Sequence, residues 1–290
     1  MIVATLLWSI AGVVTRQLGA VSGFEATFWR SVFNAAALVV LLPRLRGASS
    51  LARTLGSADP SLWISGVCWA VMFTAFMIAI TMTTVANVLV TMAIAPLLTA
   101  LIARVVVGQP LPVRTWAAIV VAGIGIAWMY AHELAVVDPR HFAGTAVALA
   151  VPVAAALNWT AIQRSGRSAA GGPDLLAAVL IGAVLSSLVT LPLATPLRAS
   201  AHDIAWLALL GVAQLAVPCL ISVAAARVLA APEVALLSLL EIVFGVTWTW
   251  LAAAEAPSRH VITGGALVLG ALVANESVAL RQRRPVAKAT

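Results

Sequence analysis

Residues 93–112 read AIAPLLTALIARVVVGQPLP and residues 239–258 read LLEIVFGVTWTWLAAAEAPS, and the two stretches align at an offset of 146, close to half of the 290-residue chain. Pro96 then meets Ile242 and Gln109 meets Glu255. The match extends upstream, with Val88 on Val234 and Ala79 on Ala225, while TWAAIVVAGIGIAW further on runs parallel to HVITGGALVLGALVAN. A period of this length decides the architecture once the number of membrane spans in each copy is known. An odd number inserts the second copy upside down relative to the first, which is the plan of many secondary transporters, with the substrate site near the midplane between the halves.

Composition supplies the span count. Hydrophobic residues make up 62% of the chain and charged residues 9%, and the mean hydropathy is +1.07. Soluble domains carry about 25% charge, so a soluble fold of this chain would have nothing with which to cover its surface. A bilayer core needs roughly 20 apolar residues per helix. Apolar windows bounded by Pro, Gly and charge then predict ten spans, near 2–20, 24–42, 61–82, 85–105, 114–131, 142–163, 174–193, 203–228, 231–252 and 260–280. These runs are apolar all round, as helices in lipid are, whereas barrel strands alternate over about ten residues. The fold class expected is therefore an all-α integral membrane protein of ten transmembrane helices in two inverted five-helix repeats. The repeats occupy 1–131 and 142–280, followed by a basic cytoplasmic tail at 281–290. The first run holds Arg16 and lacks a positive n-region, so it reads as a retained helix rather than a cleaved signal.

Charge gives the orientation. Of the 17 Lys and Arg, twelve fall in loops or ends on one side and five (Arg16, Arg30, Arg140, Arg198 and Arg259) on the other, which predicts both termini in the cytoplasm. The net charge of +7 is dispersed between apolar runs, so no nucleic-acid partner is expected. Cys68 and Cys219 lie in spans without CxxC spacing. His132, His141, His202 and His260 sit in three separate loops without a ligand spacing, so no metal and no cofactor is expected. Nor does any nucleophile and base pair occur at membrane depth, so the chain does not read as an enzyme.

With these features on the page, the chain resembles the drug/metabolite transporter superfamily, and within it the EamA-type ten-helix members. LLWSIAGVVTRQL (6–18) is similar to that family's first span, and FEATFWRSVFNAAALVVLLP (24–43) to its second, with an Arg in the outer half. APLLTALIARVVVGQPL (95–111) and LLSLLEIVFGVTWTWLAAAEAP (236–257) resemble its paired signatures closing the fourth and ninth spans. Two departures stand out, Gln109 where a Glu is usual and Ile242 where a Pro is usual. The resemblance implies a secondary transporter working by alternating access, with an exporter of amino acids or related small metabolites as the leading reading and a lipid-linked carrier flippase as the alternative. It implies a bacterial-type inner membrane, a small-molecule substrate, and a monomer or homodimer.

Polar residues in apolar helices mark the candidate site, because a charge at a helix centre costs roughly 2.5–3.5 kcal/mol. Glu241 is the deepest carboxylate and the candidate for proton coupling, the bland alternative being a permanent ion pair that fastens two helices. Arg30 and Asn34 share one face of span 2, where a guanidinium suits a substrate carboxylate or neutralises Glu241. Asn158 and Gln214 lie deep in spans 6 and 8, which line the central cavity in the family, although buried amides also serve as interhelical glue. Trp29 and Trp159, beside Arg30 and Asn158, are candidate walls of an apolar pocket. Pro96 and Pro218 are candidate hinges, since proline frees backbone groups within a helix.

Overall fold

A computed structural model of the chain describes all residues except 16, 20, 84, 107, 109–110, 131–138, 167–173, 254–258 and 284–290. Gln109, Glu255 and most of the basic tail therefore lie outside the described residues, as do Arg16 and His132. The described residues are helical throughout, with no strand. In chain order the helices are α1 (Ile2–Trp8), α2 (Ala11–Thr15), α3 (Gly23–Arg46), α4 (Ala48–Leu55), α5 (Pro60–Met82), α6 (Val85–Met92), α7 (Ala95–Val106) and α8 (Val113–Tyr130). There follow α9 (Pro139–Gly166), α10 (Leu176–Ala194), α11 (Ala201–Leu209), a π-helical turn (Leu210–Ala216), α12 (Val217–Ala226), α13 (Ala231–Ser238), α14 (Leu240–Ala253) and α15 (Arg259–Arg283).

Five helical stretches are long and apolar enough to cross a membrane: Gly23–Arg46, Pro60–Met82, Phe142–Gly166, Leu176–Ala194 and Ala201–Ala226. The 23 residues of α5 rise roughly 35 Å, more than the hydrocarbon core. Local signals set the starts of these helices. Ser22 caps α3 by accepting from the Glu25 N–H, and Asp59 caps α5 by accepting from the Ser61 N–H, with Pro60 in the first turn, where its missing N–H costs nothing.

Elsewhere the helices are shorter than the expected spans. The stretch expected as 2–20 breaks after Trp8, that expected as 85–105 breaks between Met92 and Ala95, and that expected as 231–252 breaks at Leu239. The second break precedes Pro96, whose ring nitrogen cannot donate. The third has no proline; there the chain tightens, with the Leu239 N–H on the Leu236 carbonyl and the Ile242 N–H on that of Leu239, both 3.1 Å and both three residues back. Ile242 thus occupies the proline position of a break that forms without it. Val85 and Ala231 start α6 and α13, and Met92 and Ser238 end them, each pair 146 positions apart.

Packing follows small residues. A Cβ on Gly66 would lie 2.6 Å from Ile181 Cγ2, and one on Gly182 would overlap the Trp69 Cβ, so α5 and α10 meet almost backbone to backbone. In the same way Gly125 of α8 rests on the Gly264 carbonyl of α15. The largest core cluster joins α3, α5, α9, α10 and α12.

The ends of the bundle are fastened by charge. Where α3 and α11 begin, Glu25 (2% exposed) accepts the N–H groups of Arg198 and Ala199 through Oε1, both at 2.7 Å. Asp203 (5% exposed) accepts the Gly19 N–H at 2.8 Å and closes a capping box on Ser200. At the opposite end Asp174 pairs with Arg46 at 2.8 Å and Arg227 at 2.6 Å.

Candidate functional site

Where the broken helices meet the long ones, a cavity of about 120 Å³ opens among α1, α3, α5–α7, α9, α12–α14 and the π-helical turn. That is close to the roughly 150 Å³ that admits a benzene-sized molecule. Its walls are aromatic: Trp8, Trp69, Phe73, Phe76 and Trp159 all face it. Trp69 and Trp159 pack edge to face at 5.6 Å and 87°, which fixes both rings.

Against these walls stand a few polar groups. Arg30 is 1% exposed, and Nη2 donates to the Phe73 carbonyl at 3.2 Å. Its Nε and Nη1 have no hydrogen-bond partner. A buried guanidinium with free donors is costly to hold, and its natural complement is a carboxylate. Glu241 lines the same cavity from the first turn of α14, where the helix dipole favours an anion. Arg30 and Glu241 line the same cavity, yet no ion pair forms between them within 4.0 Å. Gln214 (3% exposed) projects from the π-helical turn; its Nε2 donates to the Trp8 carbonyl at 3.3 Å and its Oε1 has no partner. Cys219 and Ser238 complete the polar lining. Chemically, the site offers two donor nitrogens on a cation and separate oxygen acceptors, set in an aromatic box.

The remaining expected residues lie elsewhere. Asn158 is fully buried between α5 and α9, accepting the Ser65 hydroxyl at 2.6 Å. Asn34 is fully buried one turn beyond Arg30, with neither polar atom partnered, and its backbone lies against Gly211. Trp29 stacks on Phe33 at 6.0 Å and joins the separate cluster around Leu18, Val21 and Trp206. Pro96 is the second residue of α7, and Pro218 the second residue of α12, which follows the π-helical turn directly. Among the described residues no three His, Cys, Asp or Glu gather as metal ligands.

The sequence reading had missed Trp8 and Trp69. Trp8 is the last residue of α1, and the break after it sets it beside the cavity. Trp69 and Phe73 stand four apart on α5, so a helical aromatic stripe was the available signal.

Comparison with known proteins relates part of the chain to a family. A solved crystal structure of a protein superposes with a TM-score of 0.79 over 97% of this chain and 96% of that one, at 20% identity, and so shares the fold. No match is found among curated proteins. Residues 1–131 match the model of the EamA-like transporter family. Residues 1–131 are thus similar to the EamA-like transporter family, which belongs to the drug/metabolite transporter superfamily.

Proposed function

We propose that this transporter exports amino acids or related small metabolites by alternating access, coupled to protons through Glu241. The observation that carries the reading is the Arg30 guanidinium, buried in the cavity with Nε and Nη1 unpaired while Glu241 stands across from it unbridged. A zwitterion of amino-acid size complements both charges, and aromatic walls accept its apolar side chain.

In this reading spans 1–4 rock against spans 6–9, with spans 5 and 10 peripheral, in two inverted halves (1–131 and 142–280) of an inner-membrane protein with both termini cytoplasmic. Supporting it, the α6 and α13 boundaries recur at 146 residues, and the main contacts fall into corresponding sets. Helices α3 and α10 pack together, as do α8 and α15; the pairing of α5 with α10 has a counterpart in α3 with the π-helical turn. The cavity takes walls from both halves, as a site between rocking units requires.

The test is flux of radiolabelled amino acids in proteoliposomes with and without a pH gradient. Arg30→Gln is expected to raise KM about tenfold or more, since hydrogen bonds to charged groups contribute about 1.5–3 kcal/mol. Glu241→Gln is expected to retain facilitated flux and lose its response to the gradient. Unchanged gradient response in Glu241→Gln would refute the coupling.

A further inference from the structure

We propose that Gln214 reads the amino end of the substrate, so that the cavity selects ammonium carboxylates over the corresponding 2-oxo acids. The inference rests on Arg30 receiving the substrate carboxylate, as in the preceding section. It starts from the orientation of one amide. The group opposite Gln214 on α1 is the Trp8 carbonyl, which can only accept, so the amide must present Nε2 to it. Its oxygen is thereby turned away, and Oε1 is buried in the cavity wall with no partner. A carboxylate or keto oxygen cannot satisfy an orphan acceptor; only an N–H or O–H can.

Backbone geometry sets the turn that bears Gln214 against α3. Gly211 lies in the same π-helical turn, and a Cβ there would stand 2.6 Å from both the Arg30 carbonyl oxygen and the Phe33 Cβ. The turn therefore presses directly on the segment of α3 that bears Arg30. A π-turn shifts the phase of the residues that follow its start, and such turns often occur at functional sites. Together Arg30 supplies donors for one end of a ligand, and Gln214 and Glu241 supply acceptors for the other. Charge balance favours an ammonium over a hydroxyl at that end. Arg30 and a charged Glu241 sum to zero, so a bare carboxylate brings one uncompensated charge into an apolar cavity, whereas a zwitterion brings none.

The experiment uses the full-length purified protein and measures binding of tritiated leucine, with competition by 4-methyl-2-oxopentanoate and 2-hydroxy-4-methylpentanoate. In the wild type the oxo acid is expected to compete at least about tenfold less well than leucine, with the hydroxy acid between them. Gln214→Met removes the acceptor at similar volume; leucine should weaken about tenfold, oxo-acid binding should be unchanged, and the gap should close. Gln214→Glu keeps an acceptor and should keep the preference for leucine, which separates recognition from packing. Arg30→Gln should weaken all three ligands together. An unchanged leucine to oxo-acid ratio in Gln214→Met, with Arg30→Gln still weakening both, overturns the role of Gln214 and leaves the carboxylate site standing. Arg30→Gln without effect, or no binding of leucine by the wild type, removes the amino-acid reading and this inference with it.

Discussion

At the scale of single residues, the protein concentrates its polar expense in few places. Glu25 shows what one buried carboxylate contributes. Its two backbone hydrogen bonds at 2.7 Å are charge-assisted, and Glu25→Ala would leave two N–H groups near the surface without an acceptor. Thermal unfolding in detergent should fall by about 5 °C, with Glu25→Gln losing less because it retains one oxygen. An equal loss in both variants would mean that the charge, and not the acceptor, matters there. Arg30, Glu241 and Gln214, which stand out in the sequence because an ionisable group or amide in an apolar run is expensive, all line the cavity. Trp29 packs away from this cavity for a geometric reason: consecutive helical residues point about 100° apart, so when Arg30 faces the cavity its neighbour faces away. For Trp159 and Asn158 the same rule works in reverse, with the ring in the cavity wall and the amide against Ser65.

At the scale of elements, the long helices were readable from hydropathy and their interruptions were not. Pro96 announces the break before α7, but the break at Leu239 rests on two tightened backbone bonds that no residue type signals. Trp8 and Trp69 escaped notice because tryptophan is at home both in lipid and in cavity walls, and its depth depends on where a helix breaks. The contact between α5 and α10 is open to direct test. Gly182→Ala should force the helices apart at Trp69, at a cost of about 1–3 kcal/mol, seen as a lower unfolding temperature. Gly123, whose added Cβ meets nothing within 4 Å, should accept the same change with little effect. Equal behaviour of the two variants would contradict the packing described for α10.

At the scale of the whole molecule, the arrangement of ends and cavity makes orientation measurable. A cysteine at position 50, in α4, should react with impermeant reagent only from the cytoplasm, and one at position 136 only from outside; the opposite pattern would invert the molecule in its membrane. The two ends are joined in different ways. Asp174 holds arginine side chains, which substitution of Arg46 or Arg227 can remove. Glu25 and Asp203 instead hold the main chain of Gly19, Arg198 and Ala199. Every residue type but proline carries that N–H. The loops at this end are therefore free to drift in sequence while their joint persists, and related chains can differ at 19, 198 and 199 without loosening it, provided none of the three becomes proline.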